Sequence, residues 1–162
     1  MLTKFISKFA ISSLLLAILS SALAENQSAN LVVSAVVVPS CTIQGNAISF
    51  GNYNTHQLEQ TSNVGVNCSQ GTSYVMALDT GSGANANVAT RQMTGPANGT
   101  LNYSLFQDAA YSRVWGNTAG SNTVAGTGNG NLQSLPVYGR VPAGQVTAPG
   151  VYNDVVGITL TY

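Results

Sequence analysis

Cys41 and Cys68 are the two cysteines of the chain, and His56 is its one histidine. Thiolates and imidazoles are the side chains that most readily hold zinc, but these three make a poor site against the four ligands of a structural zinc. An even pair of cysteines in an exported chain reads instead as one disulfide. The bridge would close a loop of about 27 residues, worth about 3 to 4 kcal/mol if it acts by restricting the unfolded chain. His56 sits in a polar stretch, Asn54-Thr55-His56-Gln57. No acid or nucleophile can be paired with it at a recognisable spacing, so general acid–base chemistry finds no support. Gly126-Thr127-Gly128-Asn129-Gly130 resembles a phosphate loop only in its glycines. It lacks the Lys-Ser/Thr pair and the following helix that such a loop needs. The expectation is therefore a protein that is not an enzyme, with no cofactor and no metal.

The compartment follows from the start of the chain. Lys4 and Lys8 form a basic segment, and Ala10 to Leu19 (AISSLLLAIL) is a short apolar one. Ala22-Leu23-Ala24 is a small-residue cleavage site, which predicts a signal peptide over residues 1–24, cut between Ala24 and Glu25. The apolar segment is short for a bilayer span, and no stop-transfer segment follows, so no membrane anchor is expected. The mature chain of about 138 residues is the size of one domain. Both lysines leave with the leader. What remains is Arg91, Arg113 and Arg140 against Glu25, Glu59, Asp79, Asp108 and Asp154, a net charge of about −2. Nucleic acid is not an expected partner of such a chain. So few charges also give copies of the protein little reason to repel one another.

The body reads as all-β. Val64, Val66 and Cys68 alternate, as do Tyr74, Met76 and Leu78, and then Leu101, Tyr103 and Leu105. Ile48 and Phe50 precede a Gly51-Asn52 turn, and Leu135, Val137, Tyr138 and Val141 form a less regular segment. Val156, Ile158, Leu160 and Tyr162 give the cleanest alternation, running to the final residue. A period of two places these side chains on single strand faces, and the Gly/Pro/Asn punctuation between them indicates a sandwich. Gly116 to Asn131 reads as a flexible loop.

One more strand-like run lies between the leader and Cys41. Asn30 to Val38 (NLVVSAVVV) carries Leu31, Val33, Ala35 and Val37 at a period of two, and Pro39 ends regular pairing. This run lies outside the loop that a Cys41–Cys68 bridge would close. At its other end the chain stops within a strand, with no returning strand after Tyr162. A sandwich short of its last strand has an open groove and unpaired edges. A spare strand can fill that groove in another copy, a case of β-strand addition. Leu31, Val33, Ala35 and Val37 are the expected inward set of the donor, and Val156, Ile158, Leu160 and Tyr162 are expected on the accepting side.

The ordered pieces of the body resemble the spore coat protein U domain, the subunit type of archaic chaperone–usher pili. They are Ser40-Cys41-Thr42-Ile43, Ile48-Ser49-Phe50-Gly51-Asn52-Tyr53, Val64-Gly65-Val66-Asn67-Cys68-Ser69, Leu101 to Asp108, Val114-Trp115-Gly116 and Pro136 to Pro142. The most specific is the tail, Pro149-Gly150-Val151-Tyr152-Asn153-Asp154 with its alternating strand. The resemblance implies an incomplete immunoglobulin-like sandwich lacking its last strand and completed by donor-strand complementation. It divides the chain into a signal peptide (1–24), a donor-strand extension (25–39) and a pilin domain (40–162). It implies a periplasmic pilus chaperone, an outer-membrane usher and other pilus subunits as partners, export through the periplasm to the cell surface, and a packing role for Trp115. The expected function is a structural subunit of a pilus or surface coat that supports attachment and biofilm formation. The alternative is an adhesin or adapter at the fibre tip.

Overall fold

A computed structural model describes residues 24–162. The leader expected over residues 1–24 falls outside the described residues except for Ala24. The chain divides into two units, residues 1–36 and 37–162. In the first, residues 24–36 form no helix and no strand, and all of their side chains are exposed.

The second unit is all-β. Its strands are β1 (Cys41–Gly45), β2 (Leu58–Cys68), β3 (Ser73–Leu78), β4 (Arg91–Thr94), β5 (Thr100–Phe106), β6 (Val124–Thr127), β7 (Leu132–Val141) and β8 (Ile158–Thr161), with a 3-10 turn at Pro96–Asn98. One sheet has the order β1-β2-β7-β5-β4 and the other β6-β3-β8, and every pairing is antiparallel. Between them lies a core of Val64, Val66, Tyr74, Met76, Leu78, Leu101, Tyr103, Leu105, Trp115, Val137 and Val141. The alternating positions of β2, β3 and β5 supply most of it, as the period of two requires.

Trp115 is buried and its indole N–H donates to the Met76 carbonyl at 3.1 Å, the partner a buried indole needs. Gly139 on β7 has no side chain for a packing reason. A Cβ there would stand 2.6 Å from the Ile48 side chain and 2.7 Å from the Phe50 ring. The missing atom lets the segment after β1 lie flat on the sheet. On the outer face, Arg140 pairs with Glu59 at 2.8 Å and stacks over the Tyr111 ring at 4.0 Å.

Cys41 and Cys68 are bonded. They face each other in register across β1 and β2, with Cα atoms 4.0 Å apart. The bridge ties the edge strand to its neighbour at the point where the chain enters the sandwich.

Several elements differ from the sequence reading. Residues 46–57, with Ile48 and Phe50, form no strand, although both side chains pack against the core. β4 and β6 appear where no strand was expected, and β6 lies inside the segment read as a flexible loop. The regular pairing of the last strand begins only at Ile158.

Candidate functional site: an open groove between two sheet edges

Among the described residues, β1 and β8 are each paired on one side only. The Ser69 N–H donates to the Ser40 carbonyl at 2.9 Å, which sets the alternation along β1. Ser40, Thr42 and Gln44 turn their backbone groups toward β2, so those of Cys41, Ile43 and Gly45 face the open edge. On the other side, the Asp79 N–H donates to the Gly157 carbonyl at 3.0 Å. Gly157, Thr159 and Thr161 therefore face β3, and Val156, Ile158 and Leu160 present their N–H and C=O groups to the open edge.

A cavity of about 470 Å³ lies between these edges. Gly45 to Ile48 and Phe50 form one wall, and Tyr152 to Val156 with Ile158 form the other. Its floor is the sandwich core itself, with Val64, Leu78, Tyr103, Leu105 and Val137. A second depression of about 740 Å³ continues past Phe50 and shares Ile48, Phe50, Met93, Tyr152 and Asn153 with the first. At Gly45 the walls come close enough that a Cβ there would lie 2.9 Å from Ile158 Cδ1. An apolar floor under two unpaired backbone edges can do one chemical thing well. It can accept an extended peptide, which supplies backbone partners to the edges and apolar side chains to the floor.

Of the residues expected on the accepting side, Val156 and Ile158 line this cavity. Leu160 is half-buried against the core opposite Met76. Tyr162 is 59% exposed and borders a separate shallow depression with Val75 and Ala125. In the expected donor segment Leu31, Val33 and Val37 are 89%, 83% and 90% exposed, and the opposite set of Val32, Val36 and Val38 is exposed as well. Ala35 is also exposed.

The wall before β8 is held by groups that the sequence did not point to. The Asp79 carboxylate accepts the Gly157 N–H at 2.8 Å. Asp154 Oδ1 accepts the Ser82 N–H and hydroxyl, both at 2.7 Å, and the Val155 N–H at 2.8 Å. Asp154 Oδ2 accepts the Tyr103 hydroxyl at 2.7 Å. Behind them Arg91 is fully buried. Its guanidinium donates to the carbonyls of Asp79, Val88, Leu78 and Trp115 at 2.8 to 3.2 Å. Burial lowers the Arg91 pKa, while Tyr103, Asp79 and Asp154 oppose that shift. Burial, and next the bond to Asp154, push the Tyr103 phenol well up. Two signals were available: Asp154 closes the tail motif, and Arg91 is a charge two residues before Met93 in a segment otherwise without charges.

Burial alone would raise the Asp154 pKa, but the hydrogen bonds from Ser82, Tyr103 and Val155 outweigh it and hold it below the ordinary carboxylate value. A depressed folded pKa contributes stability that is present above the unfolded value of about 3.9 and is lost as pH falls through the folded one. Asp154→Asn is therefore expected to lower the melting temperature at pH 7. Its deficit against the parent should shrink as pH drops below about 4. Melting curves of both proteins at pH 7, 5 and 3 check this, and a constant deficit would contradict it.

The Spore Coat Protein U domain matches residues 27–159 of the chain. Protein U of Myxococcus xanthus is 32% identical over 160 residues, which is 88% of this chain and 89% of that protein. Among solved structures, the fold is similar to one from Acinetobacter baumannii. That structure is the CsuC–CsuE chaperone–tip adhesion subunit pre-assembly complex of archaic chaperone-usher Csu pili. The TM-score is 0.60 and the identity 21%, over 78% of this chain and 40% of that chain. The present chain thus spans about two-fifths of the solved chain it superposes on.

Proposed function

Because the chain belongs to the Spore Coat Protein U domain family, we propose that it is a structural subunit of an archaic chaperone–usher pilus or surface coat, polymerised by donor-strand exchange. The observation that carries this reading is the pairing of an acceptor with a donor in one chain. The acceptor is the core-floored cavity between the open edges of β1 and β8. The donor is the run from Leu31 to Val38, apolar on both faces and exposed. Residues 25–39 of one subunit fill the groove of another. A periplasmic chaperone occupies that groove beforehand, and an outer-membrane usher directs the exchange at the surface. Residues 1–24 are the signal peptide that starts this route. Leu31, Val33, Ala35 and Val37 enter the groove, and Val156, Ile158 and Leu160 meet them. The role is structural rather than catalytic, and the fibre supports surface attachment and biofilm formation.

The test is to append a copy of residues 25–38 after Tyr162 through a flexible linker. Intramolecular pairing raises the effective concentration of the strand to the millimolar range or so. The extended chain is expected to be monomeric and to melt well above the mature chain. A mature chain that stays monomeric and melts as high as the extended one would overturn strand exchange.

A further inference from the structure

Resting on the reading of the cavity as an acceptor groove, we propose that Asp79 and Asp154 are positioning residues that lengthen the accepting edge of β8 to match the incoming strand. The regular pairing of β8 with β3 covers four residues, from Ile158 opposite Leu78 to Thr161 opposite Val75. At about 3.3 Å per residue that is roughly 13 Å of edge. The donor run from Leu31 to Val38 is about twice as long, roughly 26 Å when extended. Beyond Leu78 the backbone gives one more bond, from the Asp79 N–H to the Gly157 carbonyl at 3.0 Å, and then the chain turns away at Thr80–Gly81, with Gly81 at φ +79.

The two carboxylates take the place of the missing strand. Asp79 Oδ1 accepts both the Gly81 N–H, which closes the turn, and the Gly157 N–H, each at 2.8 Å. Asp154 Oδ1 accepts the Val155 N–H and binds Ser82, while Oδ2 takes the Tyr103 hydroxyl of β5. Residues 154–157 are thereby held as a continuation of β8. Their β3-facing donors are satisfied, and Val156 turns toward the cavity. Among the described residues the Val156 N–H has no hydrogen-bond partner. Four further residues thus join the edge, which brings its length to that of the donor. A carboxylate suits the task because each oxygen accepts more than one bond. The charged or titratable groups facing the pair are Arg91 of β4 and Tyr103 of β5. The buried Arg91 cation sets the sign of the charge that can be kept there.

Amide hydrogen exchange in the strand-complemented chain described above tests the assignment. In the parent, Val156, Ile158 and Leu160 are expected to exchange slowly together, since each bonds the seated strand. Asp79→Ala, or separately Asp154→Ala, is expected to speed exchange at Val156 by at least ~10-fold while Ile158 and Leu160 stay within ~2-fold. Asp79→Asn, which keeps an acceptor oxygen, should restore slow exchange at Val156. If Asp79→Ala does not fold, Asp79→Ser serves in its place. Equal acceleration at all three amides, or none at Val156, means that the carboxylates support the fold in general and overturns the proposal. Fast exchange at all three amides in the parent itself would instead remove the acceptor reading, and this inference with it.

Discussion

Val33→Asp is expected to abolish fibre formation while leaving the subunit's own groove, and its capture by a chaperone, intact. In the proposed exchange Leu31, Val33, Ala35 and Val37 form the inward set of the donor, and the floor they would meet is lined by Val64, Leu78, Leu105 and Val137. Each large aliphatic side chain buried there contributes about 1.5 to 3 kcal/mol. An aspartate in the same place brings a carboxylate to a floor with no cation facing it, at a cost of several kcal/mol unless it is protonated. Ser34→Asp, one residue away on the opposite face, should be much milder, because its carboxylate stays in water. Both faces of the run are exposed, so only the pair of substitutions separates them. Fibre yield by electron microscopy and chaperone co-purification check the outcome. Equal loss from the two would show that the inward set is wrongly assigned.

The second large effect is expected at Arg91. Its guanidinium satisfies four backbone carbonyls drawn from β3, its exit turn, the approach to β4 and Trp115. Arg91→Ala leaves all four without that donor in a site closed to water and removes the cation that Asp79 and Asp154 face. A cost of about 3 to 5 kcal/mol is expected, the range for breaking a buried charged network. Arg91→Lys should recover only part of it. An ammonium has three donors on one nitrogen and cannot span four divergent carbonyls. Denaturant midpoints of the strand-complemented chain measure both. A loss under about 1 kcal/mol for Arg91→Ala would mean that water takes over the carbonyls.

Much of the fold was legible because its strands bury one face. Tyr74-Met76-Leu78 and Leu101-Tyr103-Leu105 alternate in the sequence and are buried at those positions in β3 and β5. β6 was not legible. Val124-Ala125-Gly126-Thr127 is short and does not alternate, and it becomes a strand through pairing with Ser73 to Met76. The first half of β2 was missed for a related reason. Glu59, Gln60 and Thr61 are exposed, and their partners on β7 rather than their own pattern make them a strand. At the candidate site, Val156 and Ile158 were readable from alternation and do line the cavity. Asp79, Asp154 and Arg91 were not readable, since each acts through backbone groups distant in sequence, and such pairings leave no local period.

The bond between Cys41 and Cys68 also decides how the domain carries mechanical load. Tension applied through residues 37–40 enters at Cys41, the first residue of an edge strand. An edge strand pulled from its end would peel, its ladder bonds failing one after another. Here the covalent bridge passes the force at its point of entry to β2. The β2–β7 ladder runs from Leu58 opposite Val141 to Asn67 opposite Leu132, the longest pairing among the described residues. A pull directed along β2 would load that ladder along its length, so that its bonds shear together. Reducing the disulfide should therefore lower the rupture force of the domain by more than its modest loop would suggest from equilibrium stability alone.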